Sequence, residues 1–255
     1  MSPIRELFKQ KKPYIGYLTA GDGGLQKTEE MALALIEGGV DLLELGIPFS
    51  EPIADGPVIQ GAVERALQAG TTPDEILDLV TRLRLKTKTP IVIMTYFNPI
   101  LAAGAPFLKE AKTAGVDGFL IVDLPPEEGE EYLSWMEEAS LDTIFIIAPS
   151  TPEERIPLIC SATTGFVYYA CRKGTTGMKE GVPEDLPEKV GEIRLHTDLP
   201  IAVGFGISSA KTAAEILKYS DGFIVGSLLV KAAHEQTNPS EVTRLTASID
   251  PRREK

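Results

Sequence analysis

Two acidic residues, Glu44 and Asp55, lie eleven positions apart, in segments where an acidic side chain is unusual. Glu44 lies inside the apolar run Leu42–Gly46, where an unpaired charge is poorly solvated. Asp55 follows in the proline-rich loop 47–57, just before Gly-Pro. Apolar surroundings raise the pKa of a carboxyl group, so Glu44 is a candidate general acid/base, and the pair could share proton transfers in one cavity. Glu44 held by an arginine or a backbone donor, and Asp55 as a simple turn former, are the structural alternatives.

Glycines in the last quarter of the chain predict an anion site. Gly204–Ser208 reads Gly-Phe-Gly-Ile-Ser after one apolar run, and Gly226 and Ser227 follow the next run. Glycines let backbone N–H groups approach an anion, and helix N-termini attract it. Such a site can bind phosphate without lysine, which suits a chain of net charge −12.

The segment 172–178, Arg-Lys-Gly-Thr-Thr-Gly-Met, has the composition of a lid that closes over substrate, although an ordinary solvated loop would look the same. Cys171 is interpreted as a packing residue, because neither His196 nor His234 lies where it could activate a thiol. No lysine ends an apolar run, and no His/Asp/Glu cluster has metal-ligand spacing. Schiff-base and metal-dependent aldolases are therefore disfavoured, and no metal is expected. Acid–base chemistry on a phosphorylated small molecule remains.

Eight short apolar runs must position these residues, and amphipathic helical stretches separate them. Each run is bounded by Gly, Pro or Asp, as buried parallel strands are, and several follow a Gly-Val-Asp or Ser-Asp-Gly sequence. The pattern predicts an α/β fold, a phosphate-binding (β/α)8 TIM barrel, with function at the carboxyl ends of the strands. A doubly wound sheet would need a GxGxxG turn that Gly21–Gly24 does not provide. The predicted strands are 14–18, 42–45, 91–94, 118–122, 143–148, 165–170, 201–204 and 222–225.

Predicted helices cover 28–38, 73–85, 106–114, 127–139, 152–161, 186–195, 209–219 and 228–235, with Gly38 as a C-cap and Thr72 as an N-cap. Residues 1–255 are interpreted as one domain, with a helical or extended segment at 1–13 and a C-terminal tail or helix at 236–255. Two cysteines, no secretory signal and no membrane-length apolar run predict a cytoplasmic protein. The acidic balance predicts binding to neither nucleic acid nor membrane.

Several long motifs stand out at 14–22, 43–50, 54–57, 94–99, 123–127 and 204–208. They resemble those of the tryptophan synthase alpha chain family, and the resemblance covers about residues 13–232. The resemblance implies a lyase that cleaves indole-3-glycerol phosphate, by a retro-aldol reaction, to indole and glyceraldehyde 3-phosphate. Glu44 would exchange protons with the indole carbon and the glycerol hydroxyl, and Asp55 would hold the indole N–H.

The resemblance also implies a substrate pocket, a phosphate site and a partner. Pyridoxal phosphate would belong to a beta chain in an α2β2 complex, this chain would carry no cofactor, and indole would pass to the partner through a tunnel. Exposed apolar residues would form the docking face: Pro48, Phe49, Tyr96, Phe97 and Pro99. Thr176 would steady Asp55, and Tyr168 would support Glu44 or line the indole pocket. Other pocket residues would be Tyr17, Tyr96, Ile146 and Phe205, and the phosphate ligands Gly177, Gly206, Gly226 and Ser227.

Other functions remain as alternatives. A catalytically weak alpha chain could act mainly as an allosteric activator of the beta chain, and a standalone indole-producing lyase would share the chemistry. Another phosphate-barrel activity is less compatible, since indole-glycerol-phosphate synthase needs a lysine at a strand end. The chain departs from the family pattern at Glu51, Cys171 and Thr175. Glu51 suggests the hypothesis that coupling to the partner is altered while the catalytic groups are intact.

Overall fold

The computed structural model describes residues 2–171, 182–204, 206–236 and 238–253, and over these residues eight parallel strands close into a barrel. Strands adjacent in the chain are adjacent in the barrel, and the last strand pairs with the first. This confirms the predicted (β/α)8 barrel. The strands are β1 (Tyr14–Thr19), β2 (Leu42–Gly46), β3 (Ile91–Thr95), β4 (Gly118–Ile121), β5 (Asp142–Ile147), β6 (Val167–Ala170), β7 (Ile201–Gly204) and β8 (Gly222–Val225).

Helices connect the strands and cover the outside of the barrel. Short 3₁₀ turns at Pro126–Glu128 and Glu153–Arg155 precede two of them. The helices are α1 (Pro3–Gln10), α2 (Leu25–Glu37), α3 (Pro57–Gln68), α4 (Pro73–Arg84), α5 (Phe97–Ala114), α6 (Glu130–Ala139), α7 (Ile156–Ala162), α8 (Leu186–Arg194), α9 (Ala210–Ile216), α10 (Ser227–Glu235) and α11 (Pro239–Ile249).

Two helices differ from the sequence prediction. The prediction missed α3, which follows the proline-rich loop and begins with Pro57 at its first position, where the missing N–H costs nothing. Helix α5 contains a break at Gly104 (φ 69°, ψ −171°), and the predicted helix 106–114 is the segment after this break, whereas the segment that begins at Phe97 was not predicted. The conformation at Gly104 is open to glycine alone at low cost. Thr72 does cap α4, in a capping box with Glu75.

Alternate residues of each strand point into the barrel and form an apolar interior. Helix α1 closes the amino-terminal end of this interior: Ile4 is fully buried in it, and the ring of Phe8 lies 5.3 Å from the ring of Phe166. A larger apolar cluster fills the space between the strands and the surrounding helices. The interior residues are Ile15, Leu42, Val92, Leu120, Ile144, Phe166, Ala202 and Ile224.

Three aspartates tie strands together at the same amino-terminal end. Asp41, Asp117 and Asp221 accept hydrogen bonds from the first backbone N–H of β1, β3 and β7, at 2.9, 2.8 and 2.9 Å. The recurring Gly-Val-Asp and Ser-Asp-Gly sequences therefore serve stability at the face of the barrel opposite the strand carboxyl ends. Each aspartate also pairs with an arginine: Arg252, Arg84 and Arg194 respectively.

Among the described residues, no helix has the length and apolar content needed to cross a membrane.

Candidate active site

Glu44 lies in the middle of β2 and points into the barrel, as its alternation with the interior residue Leu42 requires. Its side chain is 2% exposed, and Oε1 has no hydrogen-bond partner in the part of the chain that the structure describes. Burial raises the pKa of Glu44 from 4.5 to about 8, and the nearby negative charge of Asp55 adds to the rise. At neutral pH the carboxyl group therefore holds its proton and can donate it.

Asp55 lies in the loop after β2, directly before the N-cap of α3, and is 4% exposed. The hydroxyl of Tyr96 donates to its Oδ2 at 2.9 Å and accepts from the N–H of Ala54 at 2.9 Å. Burial raises the pKa of Asp55, and the Tyr96 hydrogen bond opposes that rise. Burial thus raises the pKa of both carboxyl groups, and the hydroxyl of Tyr96 is a donor that favours the ionised form of Asp55.

Two tyrosines enclose the space beside Glu44. A Cβ atom at Gly46 would collide with the hydroxyl of Tyr17, and one at Gly204 would collide with the hydroxyl of Tyr168. Only glycine at these two strand ends lets the rings lie across the mouth of the barrel. Burial, followed by the negative charge of Glu44, raises the pKa of Tyr168 well above its ordinary value. Tyr17 stands opposite Glu44 in register.

Three more apolar residues lie near the mouth of the barrel: Ile146, which was predicted, and Met94 and Ile59, which were not. Ile146 is half-buried on β5, opposite Tyr168 in register. Sequence reasoning missed Met94 on β3 and Ile59 on α3, which pack with Tyr17. Met94 stands opposite Gly46 and could have been found by extending the inward alternation from β2 to β3.

The predicted phosphate residues lie at the ends of two paired strands. Gly206 follows β7 with a positive φ of 74°, and Gly226 is the N-cap of α10, which begins at Ser227. Strands β7 and β8 are paired, so these segments share one rim. The first N–H groups of a helix have no intrahelical partner and carry the positive end of its dipole, so they can receive an anion.

Three predicted site residues lie outside the described part of the chain, and two residues that were predicted to be exposed are buried. Thr176, Gly177 and Phe205 lie outside the described residues. Tyr96 and Pro48 were expected on an exposed docking face, but both are buried, Tyr96 because its hydroxyl bonds to the Asp55 loop. Exposed apolar side chains at this rim are instead Ile53 and Leu101. Over the described ranges, no group of His, Cys, Asp and Glu could hold a metal ion.

A closed parallel barrel with one buried carboxyl group inside β2 and another in the loop after β2 defines the class: a (β/α)8-barrel protein with a candidate acid–base site. Comparison with known proteins narrows this class. A sequence profile described as tryptophan synthase alpha chain matches residues 5–253. The chain therefore belongs to the tryptophan synthase alpha chain family.

Individual relatives agree with the profile. The tryptophan synthase alpha chain of Coxiella burnetii is 49% identical over 98% of this chain and 98% of its own length. That of Chlamydia caviae is 43% identical over 99% and 100%. Among solved structures, Mycobacterium tuberculosis tryptophan synthase matches with a TM-score of 0.91 and 36% identity over 98% and 97% of the two chains. A mutant alpha-subunit from Pyrococcus furiosus matches with a TM-score of 0.87 and 40% identity over 94% and 98%.

The family confirms the reaction class predicted from the sequence, a lyase of tryptophan biosynthesis that cleaves indole-3-glycerol phosphate. It also implies a beta-chain partner.

Proposed function

We propose that Glu44 and Asp55 carry out the cleavage of indole-3-glycerol phosphate in this chain. The protonated Glu44 delivers its proton to the indole carbon that bears the glycerol chain, which gives a cationic ring. Asp55, as a carboxylate, accepts a hydrogen bond from the ring N–H and stabilises that cation. The Glu44 carboxylate then takes the proton of the neighbouring glycerol hydroxyl as the carbon–carbon bond breaks. The electrons of the broken carbon–carbon bond return to the ring. Indole and glyceraldehyde 3-phosphate are released, and Glu44 is again protonated.

The observation that carries this proposal is the state of Glu44. Its carboxyl is buried, Oε1 lacks a partner among the described residues, and its pKa is raised to about 8. A general acid is most effective when its pKa lies near the working pH. An unpaired buried polar group costs free energy, so a carboxyl group kept in this state inside the barrel, close to Asp55, favours a functional role.

The substrate would lie with its ring at the mouth among Tyr17, Ile146 and Tyr168, and with Tyr96 against Asp55. Its phosphate would bind at Gly206, Gly226 and Ser227, where the paired ends of β7 and β8 support an anion site. Phe205, Thr176 and Gly177 lie outside the described residues and are assigned to substrate binding by resemblance to the family alone.

The test is indole release from indole-3-glycerol phosphate by the full-length chain, with and without a beta chain. Glu44→Gln and Asp55→Asn are each expected to lower kcat by about 10²–10⁴-fold. Asp142→Asn is the matched control, because Asp142 is also buried with an unpartnered oxygen among the described residues, but lies at the start of β5. Activity of Glu44→Gln within a few-fold of wild type would refute the role of Glu44.

We also propose that the chain works in an α2β2 complex, that it binds no cofactor itself and that pyridoxal phosphate is held by the beta chain. Light scattering of the mixed chains would measure the stoichiometry. The same mixture tests the activator alternative: a wild-type chain that releases no indole but stimulates the beta chain would favour that function over catalysis.

A further inference from the structure

We propose that Arg65 and Asp22 are positioning residues for Asp55: their ion pair holds α3 against the loop between β1 and α2. This inference rests on the proposed function and adds to it a pair of residues that need not touch the substrate. It also gives a role to α3, the helix that sequence reasoning missed.

The ion pair has a geometry that fixes direction as well as distance. Arg65, in the last turn of α3, donates from Nε and Nη2 to the two carboxylate oxygens of Asp22, at 2.7 Å each. The Asp22 side chain is 8% exposed, so water competes little for it. Two parallel charge-assisted hydrogen bonds of this kind are stronger than neutral ones and define the relative orientation of both groups.

The loop that carries Asp22 is itself held by its surroundings. The N–H of Gly21 donates to Oγ1 of Thr28 on α2 at 3.0 Å, and Gly21 packs so closely on Thr71, beyond the end of α3, that a Cβ would collide with it. On the other side, Nδ1 of His234 on α10 lies 3.7 Å from Asp22. Asp22 therefore stands where α2, α3 and α10 meet, and gives α3 a fixed anchor.

Helix α3 transmits this anchor to Asp55. The helix begins at Pro57, and the side-chain amide of Gln60 donates to the backbone oxygen of Asp55 at 2.8 Å. The backbone of Asp55 is thus joined to the first turn of α3, while Arg65 is held at the last turn. A shift of the helix along its axis would move Asp55 relative to Tyr96 and Glu44.

Apolar packing alone would not prevent such a shift. The inner face of α3 contacts Tyr17 and Val230 through Ile59, Ala62 and Val63. Hydrophobic contact is non-directional and tolerates small displacements. Catalysis does not tolerate them, since a misplacement of about 1 Å can cost about 10²-fold in rate. At the last turn of α3, the ion pair between Arg65 and Asp22 supplies a directional contact among the described residues.

The test uses the full-length chain with its beta chain and compares Arg65→Met, Arg65→Lys and wild type. Arg65→Met keeps most of the aliphatic stem and removes the two donors. We expect kcat to fall by about 10–100-fold with a smaller change in KM. The acidic limb of the pH profile should also move to higher pH, because a displaced Asp55 loses the Tyr96 hydrogen bond that lowers its pKa. Lysine should restore only part of the rate, since it lacks the planar fork.

Arg155→Met is the matched control, because Arg155 makes the same two-bond contact with Glu127, at 2.8 Å for each bond, away from α3. It should leave kcat and the pH profile unchanged. If Arg65→Met lowers only the thermal midpoint and keeps the wild-type kcat and pH profile, the pair is merely structural and the inference is overturned. If Asp55→Asn retains wild-type activity, the proposed function fails instead, whatever Arg65→Met does.

Discussion

Glu44 occupies a position where a carboxyl group destabilises the folded chain at alkaline pH. Its folded-state pKa of about 8 is above the ordinary 4.5, so the folded state holds a proton that the unfolded chain has lost. Stability therefore falls as pH rises from about 4.5 and levels off above about 8. An amide of the same shape carries no such cost.

We predict that Glu44→Gln is more stable than wild type and that the gap widens with pH. Urea unfolding at about pH 5 and about pH 8 measures it, with an expected gain of a few kcal/mol at the higher pH. Glu131→Gln, at an exposed position of α6, should show no such widening. A gap that is constant or shrinks with pH would mean that Glu44 is ionised in the folded chain.

At this scale the sequence predicted the residues whose chemical type was unusual for their setting. Glu44 stood out because it interrupts an apolar run. Met94 and Ile59 did not, because apolar side chains in apolar segments look alike whether they face a core or a pocket. The hydrogen bond from Tyr96 to Asp55 joins distant parts of the chain, and only the paired strands β2 and β3 bring them together.

Among the secondary-structure elements, α6 ends under strain that can be relieved. Its C-cap, Ser140, has φ 55° and ψ 45°, a left-handed conformation that is costly for a residue with a Cβ atom. Glycine adopts this conformation freely and is the preferred residue there.

We predict that Ser140→Gly raises the free energy of unfolding by about 0.5–1 kcal/mol. Ser134→Gly, at an exposed position in the middle of the same helix α6, is the control, and it should lower stability by about the same amount because glycine weakens a helix interior. Denaturant midpoints of the two variants would show the opposite signs. Equal destabilisation by both would contradict the argument from the left-handed cap.

Helices and strands were predicted correctly where a hydrophobic pattern extends over many residues. Helical segments were missed where proline or glycine residues adjoin them. Helix α3 was not predicted because it directly follows the proline-rich residues 47–57. Its buried residues Ile59, Ala62, Val63 and Ala66 nevertheless have helical spacing. In α5, Gly104 and Pro106 do mark the start of a helical segment, but the segment between Phe97 and the break at Gly104 was not predicted.

For the molecule as a whole, the two ends of the barrel have separate tasks. The carboxyl end holds the candidate site, whereas α1 and the aspartate–arginine pairs close the amino-terminal end. The eight alternations of strand and helix predicted that the barrel closes. They did not predict that α1 covers its amino-terminal end, because α1 is short and mostly polar and its sequence does not indicate what it packs against.

We predict that Ile4→Ala lowers the free energy of unfolding by about 2–4 kcal/mol, because it leaves a cavity at the base of the barrel. Indole release at a temperature where the variant is folded should be unchanged, since Ile4 lies at the opposite end from Glu44. Leu85→Ala is the control, because this leucine is 84% exposed and its loss leaves no cavity. A lower kcat in Ile4→Ala would show that the two ends are coupled.

The unpartnered oxygen of Glu44 has a spectroscopic consequence. A protonated carboxylic acid with an oxygen that has no hydrogen-bond partner absorbs infrared light at a frequency separated from that of ionised carboxylates and of the amide backbone. The chain has 37 acidic residues, and Glu44 is the only buried glutamate among the described residues. Glu44 therefore carries a built-in vibrational label, and its carbonyl band would report, without any probe, when the proton leaves and when it returns.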